Sequence, residues 1–106
     1  MLFLFQVTVH KPAEMTNTEF FKLWEQEAEA VTGALEAGIL KAAYKVPGEP
    51  KIVTIVEVES FEQMDLMLQS LPIWKSGFAH LVEETSWTPL RPYANWKADL
   101  KVLANG

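Results

Sequence analysis

The stretch Thr16–Gly38, TNTEFFKLWEQEAEAVTGALEAG, decides how the chain is read. Thr16-Asn17-Thr18-Glu19 has the form of a capping box, in which the threonine oxygen serves the amide of Glu19 and the Glu19 carboxylate reaches back. At about 100° per residue, Phe20, Leu23, Trp24, Val31, Ala34 and Leu35 fall on one side of a helix that runs to about Ala37. Gly38 suits the position just past its end. Glu19, Lys22, Glu25, Glu29 and Glu36 lie on the opposite side. Glu27 does not: it projects near the middle of the apolar side, between Trp24 and Val31. A carboxylate there is costly unless it is paired, protonated or facing a cavity. That misplacement makes Glu27 the first functional candidate.

Outward from this helix, residues 2–10 read as a strand, with Phe3, Phe5, Val7 and Val9 facing one way. Leu2, Leu4, Gln6, Thr8 and His10 face the other, and Lys11-Pro12 ends the strand. A second strand over 39–46, a turn at Pro47-Gly48-Glu49-Pro50 and a third strand over 51–58 form a hairpin. Ser60-Phe61-Glu62-Gln63 repeats the capping pattern and opens a second helix, with a stripe of Phe61, Met64, Leu68 and Leu71, closed by Leu71-Pro72. A fourth strand is expected over 78–87, with Pro89 and Pro92 marking the change to a tail. The order strand, helix, strand, strand, helix, strand is the α+β, ferredoxin-like βαββαβ arrangement, with both helices on one face of a four-stranded antiparallel sheet. The helix-free face is expected to pack against that of a second copy. The domain is therefore expected over 1–89. The tail, 90–106, carries Trp96, Leu100 and Leu103 at helical spacing and is expected to pack on its own domain or a neighbouring subunit.

Composition narrows the function. The chain has 106 residues, 49% of them hydrophobic and 22% charged, which suits one soluble domain with a single modest core. A net charge of −5 with no basic stripe argues against nucleic acid as a partner. The opening Met1-Leu2-Phe3-Leu4-Phe5 is too short for a membrane span and lacks a charged leader region, so no membrane association is expected and the cytoplasm is the default location. There are no cysteines, which removes disulfides, thiolate metal sites and cysteine nucleophiles. His10 and His80 have no third ligand at metal spacing, so no metal site is expected.

Met1-Leu2-Phe3, Thr8-Val9, Pro12, Met15, Glu27 with Glu29, Gly38, Gly48 and Leu71-Pro72, in nearly gapless register to about Pro89, resemble the muconolactone Δ-isomerases and the related chloromuconolactone dehalogenases. The resemblance implies a dimeric ferredoxin-like barrel that assembles further into a ring of dimers. It also implies a cofactor-free site between the sheet and the first helix, where the glutamate matching Glu27 shuttles a proton between two carbons of a butenolide-type lactone. The match is not complete. Where the resembled isomerases carry a lysine this chain has Trp24, and the positions near Ile52 and Ala42 are apolar rather than polar. A bulkier, more apolar substrate than muconolactone is the expectation that follows.

The remaining candidates are substrate-binding ones. Trp24, Tyr44 and Trp74 are candidate pocket walls, though each also suits a core aromatic. Tyr44 and Thr54 stand mid-strand with hydroxyls to offer, and His80 is placed in the fourth strand as a possible donor. Lys41 and Lys45 alternate on one face of the second strand and read as solvated, Lys41 being the better candidate for a substrate carboxylate. Two rival functions stay open. One is a cofactor-free monooxygenase or polyketide cyclase on an apolar aromatic substrate; the other is a non-catalytic ligand-binding module with a structural Glu27.

Overall fold

The computed structural model describes residues 1–106. Strand β1 (Leu2–Val9) leads into helix α1 (Asn17–Glu36), the hairpin strands β2 (Leu40–Lys45) and β3 (Lys51–Glu57), helix α2 (Phe61–Gln69), a one-turn helix α3 (Pro72–Lys75), strand β4 (Val82–Leu90) and helix α4 (Tyr93–Asn105). The sheet is antiparallel in the order β2-β3-β1-β4. This is the ferredoxin-like βαββαβ fold, elaborated by α3 and α4.

Local chemistry sets the helix boundaries. Thr16 Oγ1 accepts from the Glu19 amide at 3.1 Å, and the Thr16 amide and hydroxyl both donate to Glu19 Oε1, so the capping box is closed. At the other end Gly38 takes φ +79°, a left-handed value that glycine adopts without a Cβ penalty. Ser60 Oγ likewise accepts from the Gln63 amide at 3.1 Å to start α2, but the Gln63 side chain reaches back one residue further, to the amide of Glu59.

Alternation along β1 fixes which face is which. Phe3, Phe5 and Val9 are buried on the helix side, while Leu2, Leu4, Gln6 and Thr8 are half-buried on the other. The core beneath the helices falls into two clusters. One gathers Val9, Met15, Phe20, Leu23, Ile73 and Leu81 around the N-terminal half of α1. The other gathers Phe3, Phe5, Leu40, Val56 and Val58, against which Val31 and Ala34 of the C-terminal half of α1 pack. Glu27 sits on α1 between the two halves.

The structure corrects four expectations. The second helix does not run to Leu71: it ends at Gln69, and Pro72 starts a separate turn, where its fixed φ and missing N–H are tolerated at the first helical position. The fourth strand is shifted toward the C-terminus. Residues 79–81 form a 3₁₀ turn closed by the Leu81 amide on the Phe78 carbonyl, so His80 lies in that turn, exposed, and not in a strand. The strand also continues through Pro89, which pairs with Phe3, because β4 is an edge strand and a proline N–H is not needed on its outer side. Finally, β2 is irregular. Its register shifts between Leu40 and Ala42, the mark of a β-bulge, so Lys41 and Lys45 do not share a face as simple alternation requires.

Replacing Thr16 by alanine opens the capping box. Stability should fall by about 1 kcal/mol, read as a lower urea midpoint with an unchanged denaturant slope.

Candidate functional site

Between α1 and the sheet lies a cavity of about 370 Å³. Its walls come from both core clusters, and all but four of the residues around it are apolar or aromatic. The exceptions are Glu27, Thr32, Lys45 and Thr54. Thr32 is exposed on α1, where its hydroxyl donates to the Ala28 carbonyl at 2.9 Å. Thr54 is only 5% exposed, and its hydroxyl donates to the Phe5 carbonyl at 3.2 Å. That bond satisfies a buried polar group within the sheet and leaves its hydroxyl proton engaged.

Glu27 is half-buried at the cavity wall. Its Oε1 accepts a hydrogen bond from the backbone amide of Ile73, and no lysine, arginine or histidine forms an ion pair with it. Helix α3 explains the geometry. Its N-cap, Leu71, has no side-chain acceptor, and Pro72 has no N–H, so the Ile73 amide is the first free donor of the turn. Glu27 caps it from 46 residues away in sequence. Burial pushes the Glu27 carboxyl up, the Ile73 hydrogen bond pulls it down, and the balance lies above the ordinary carboxylate value of 4.5. The arrangement can therefore hold a proton acceptor that is partly desolvated, uncompensated by a cation and open to a cavity with apolar walls.

The other sequence candidates divide. Trp24 and Trp74 are both half-buried and both line the cavity, Trp24 also meeting Phe20 edge-on at 5.6 Å between ring centroids. Tyr44 borders the cavity from β2, but it pairs with Val53, so its register assigns the ring to the helix-free face, where it is 68% exposed. Lys41 lies in the bulge, exposed, and does not line the cavity. His80 does not line it either. His10 is exposed with its Nδ1 3.7 Å from Glu83.

Lys45 is the residue that sequence reading passed over. The bulge returns it to the cavity side, opposite Ile52, where it is the single cation on the wall. Its only trace in the sequence is a positive charge at the end of an edge strand. No group of three or more His, Asp or Glu side chains is placed to hold a metal ion, and no helix is long and apolar enough to cross a membrane.

The family model described as muconolactone delta-isomerase matches residues 1–95. The chain belongs to that family. Among solved structures, muconolactone isomerase at 3.3 Å resolution superposes with a TM-score of 0.71 at 21% identity, covering 87% of this chain and 90% of the other. A second, the 5-chloro-2-hydroxyhydroquinone dehydrochlorinase of Burkholderia phenoliruptrix in complex with 2,5-dihydroxybenzoquinone, gives 0.59 at 18% identity over 86% and 94%. At these identities the two structures establish the fold. No curated protein matches the chain significantly.

Glu27 binds its proton more tightly in the folded protein than in the unfolded chain, so the folded state holds more protons between the two pKa values. Its contribution to stability is then most favourable below the unfolded value and declines as pH rises through the folded one. In Glu27→Gln the new amide oxygen still accepts from Ile73 without carrying a charge. Melting temperatures compared from about pH 4 to about pH 8 should show the variant gaining on the wild type as pH rises and melting no lower than it at neutrality.

Proposed function

We propose that this member of the muconolactone delta-isomerase family is a cofactor-independent isomerase that moves a proton and a double bond within a small lactone or related cyclic intermediate, with Glu27 as its acid and base. The observation that carries the reading is the placement of Glu27: a carboxylate with one backbone amide for a partner and no cation, at the wall of an apolar cavity. Moving a double bond along a lactone ring requires removing a carbon-bound proton and returning it at a different carbon. One carboxylate serves both steps if it stays beside the ring, and the electron pair left by the proton passes through a dienolate between them. Raising the carboxyl's proton affinity by burial brings it nearer that of the carbon acid, which eases the transfer.

The dienolate carries negative charge that some group must offset. Lys45 is the cation available at the wall, and its reach from the edge strand suits a substrate oxygen near the cavity mouth. Trp24 and Trp74 supply flat apolar walls for the ring, and the predominance of apolar lining favours a substrate bulkier and less polar than muconolactone. The helix-free sheet face carries Leu2, Leu4, Val53 and Ile55 in register, a surface suited to a second copy in a homodimer or a larger ring of dimers. A cytoplasmic small-molecule enzyme fits this composition.

One observation favours a non-catalytic role for Glu27, namely its capping of α3. The variant Glu27→Gln separates the two, because it preserves an acceptor for Ile73 and abolishes the base. Turnover of substituted butenolides, followed by ultraviolet absorbance, should fall by about 10²-fold or more while melting temperature holds. Unchanged turnover would leave Glu27 as a helix cap alone. In the active wild type, kcat/KM should rise with pH through an apparent pKa above the ordinary carboxylate value, since the base must be ionised in the free enzyme.

A further inference from the structure

The segment 71–78, which carries α3, uses its backbone donors on itself with one exception. The amides of Leu71, Trp74, Lys75, Ser76, Gly77 and Phe78 each donate to a backbone carbonyl within residues 68–74, at 2.8–3.2 Å. Pro72 has no N–H. The Ile73 amide is the donor left over, and it is the one that meets Glu27 Oε1. Its place is fixed by the side chains around it. Ile73 is 6% exposed in the cluster with Phe20 and Leu23, and Leu71 and Trp74 pack against that same cluster.

Nothing else competes for the carboxylate. One helical turn to either side on α1 stand Leu23, Trp24, Ala30 and Val31, none of them ionisable. Of the elements packed on α1, α3 carries Lys75, which is exposed, and β2 carries Lys45 at the cavity wall, Lys41 in the bulge and Tyr44 on the outer face. None of them forms a hydrogen bond or an ion pair with Glu27. The two oxygens of Glu27 are therefore unequal: Oε1 is engaged, and Oε2 has no protein partner. The difference persists when the group takes up a proton. With the proton on Oε2, Oε1 is the carbonyl oxygen of the acid and still accepts from Ile73. With the proton on Oε1, the amide would face a hydroxyl oxygen, a poorer acceptor. The bond to Ile73 is kept through a full cycle of proton gain and loss when Oε2 carries the proton.

We propose that the Ile73 backbone amide is a positioning group for the reaction, gripping Glu27 Oε1 in both protonation states, stopping rotation of the carboxyl and leaving Oε2 as the one oxygen that takes the substrate's proton and returns it. The proposal rests on the isomerase reading of Glu27 and deepens it. In the first step a C–H bond breaks, an O–H bond forms at Oε2 and the electron pair stays on the ring. In the second the O–H bond breaks and a C–H bond forms at the other carbon. Pro72 keeps the donors from the start of α3 to one, and each further amide given to the carboxylate would favour its ionised form and weaken it as a base.

The test removes one N–H without touching a side chain. In the full chain the Ile73 amide is exchanged for an ester by incorporating the α-hydroxy analogue of isoleucine. This also weakens the Pro72 carbonyl, which accepts from the Ser76 amide at 2.8 Å. The same exchange at Ser76 removes that second bond directly and is the control, with far-UV circular dichroism confirming that both proteins are folded. Titration of the Glu27 carboxyl carbon by NMR needs no substrate. Its midpoint should move to higher pH in the Ile73 ester, since the lost N–H no longer favours the ionised form, and should stay at the wild-type value in the Ser76 ester. Ile73→Pro deletes the same N–H by a second route, in the first helical turn where proline is tolerated, and should move the midpoint the same way. An unmoved midpoint in both Ile73 variants, or an equal movement in the Ser76 ester, overturns the proposal. In butenolide turnover the Ile73 ester should lose about tenfold or more in kcat at the high-pH plateau, with KM little changed and the rising limb of kcat/KM displaced to higher pH. A plateau kcat at the wild-type level would overturn the positioning role. The isomerase reading is decided separately by Glu27→Gln: lost turnover there beside wild-type kinetics in the Ile73 ester sinks the role of the amide alone.

Discussion

The hydrogen bond from the Ile73 amide to Glu27 is the constraint on which the rest of the site depends. It joins the middle of α1 to the start of α3, two elements that lie 46 residues apart in sequence. It does so at the point where the core divides, with Phe20 and Leu23 anchoring one half of α1 and Val31 and Ala34 the other. Val7 of β1 packs against both clusters, so they meet on the sheet side. On the helix side the residue between them is a glutamate, whose carboxylate needs a polar partner, and the one it finds occupies only one of its two oxygens.

What the cavity can do follows from how few polar groups surround it. Thr54 is committed to the Phe5 carbonyl and Thr32 to the backbone of its own helix, so neither hydroxyl proton is free for a ligand. The ionisable groups at the wall reduce to one carboxylate from α1 and one ammonium from the edge strand, and the two do not form an ion pair. The proposed isomerisation would use both, since charge would appear on the substrate and disappear again within the site. The family assignment and this geometry rest on different observations, one on sequence register over residues 1–95 and one on burial and hydrogen bonding.

Most of the architecture is legible in the sequence because it rests on short-range rules. The capping box at Thr16, the alternation of Phe3, Phe5 and Val9, and the isolation of Glu27 in an apolar stripe each need only a few neighbouring residues. What escapes depends on partners distant in sequence. Nothing near Lys41 announces the bulge, which exists only in the pairing of β2 with β3; yet that one residue decides that Lys45 and not Lys41 meets the cavity, and sends Tyr44 outward. Pro89 reads as a strand breaker until the sheet order makes β4 an edge. The partner of Glu27 is a backbone amide, which no side-chain pattern encodes. His80 sits in a turn because the chain closes a three-residue 3₁₀ bend before the strand begins, a shift of the strand's start that periodicity does not resolve.

The bulge in β2 and the proline in β4 have a joint effect on whether the sheet can be extended at its borders. An open sheet ordinarily offers two rows of unpaired backbone groups, and a neighbour can extend it strand against strand. Here one border is kinked at Lys41 and carries a second lysine at Lys45, while the other includes Pro89 and the adjacent acids Glu83 and Glu84. Each border is thereby poor at templating a foreign strand. The sheet is thereby kept from growing, copy upon copy, into a continuous ribbon.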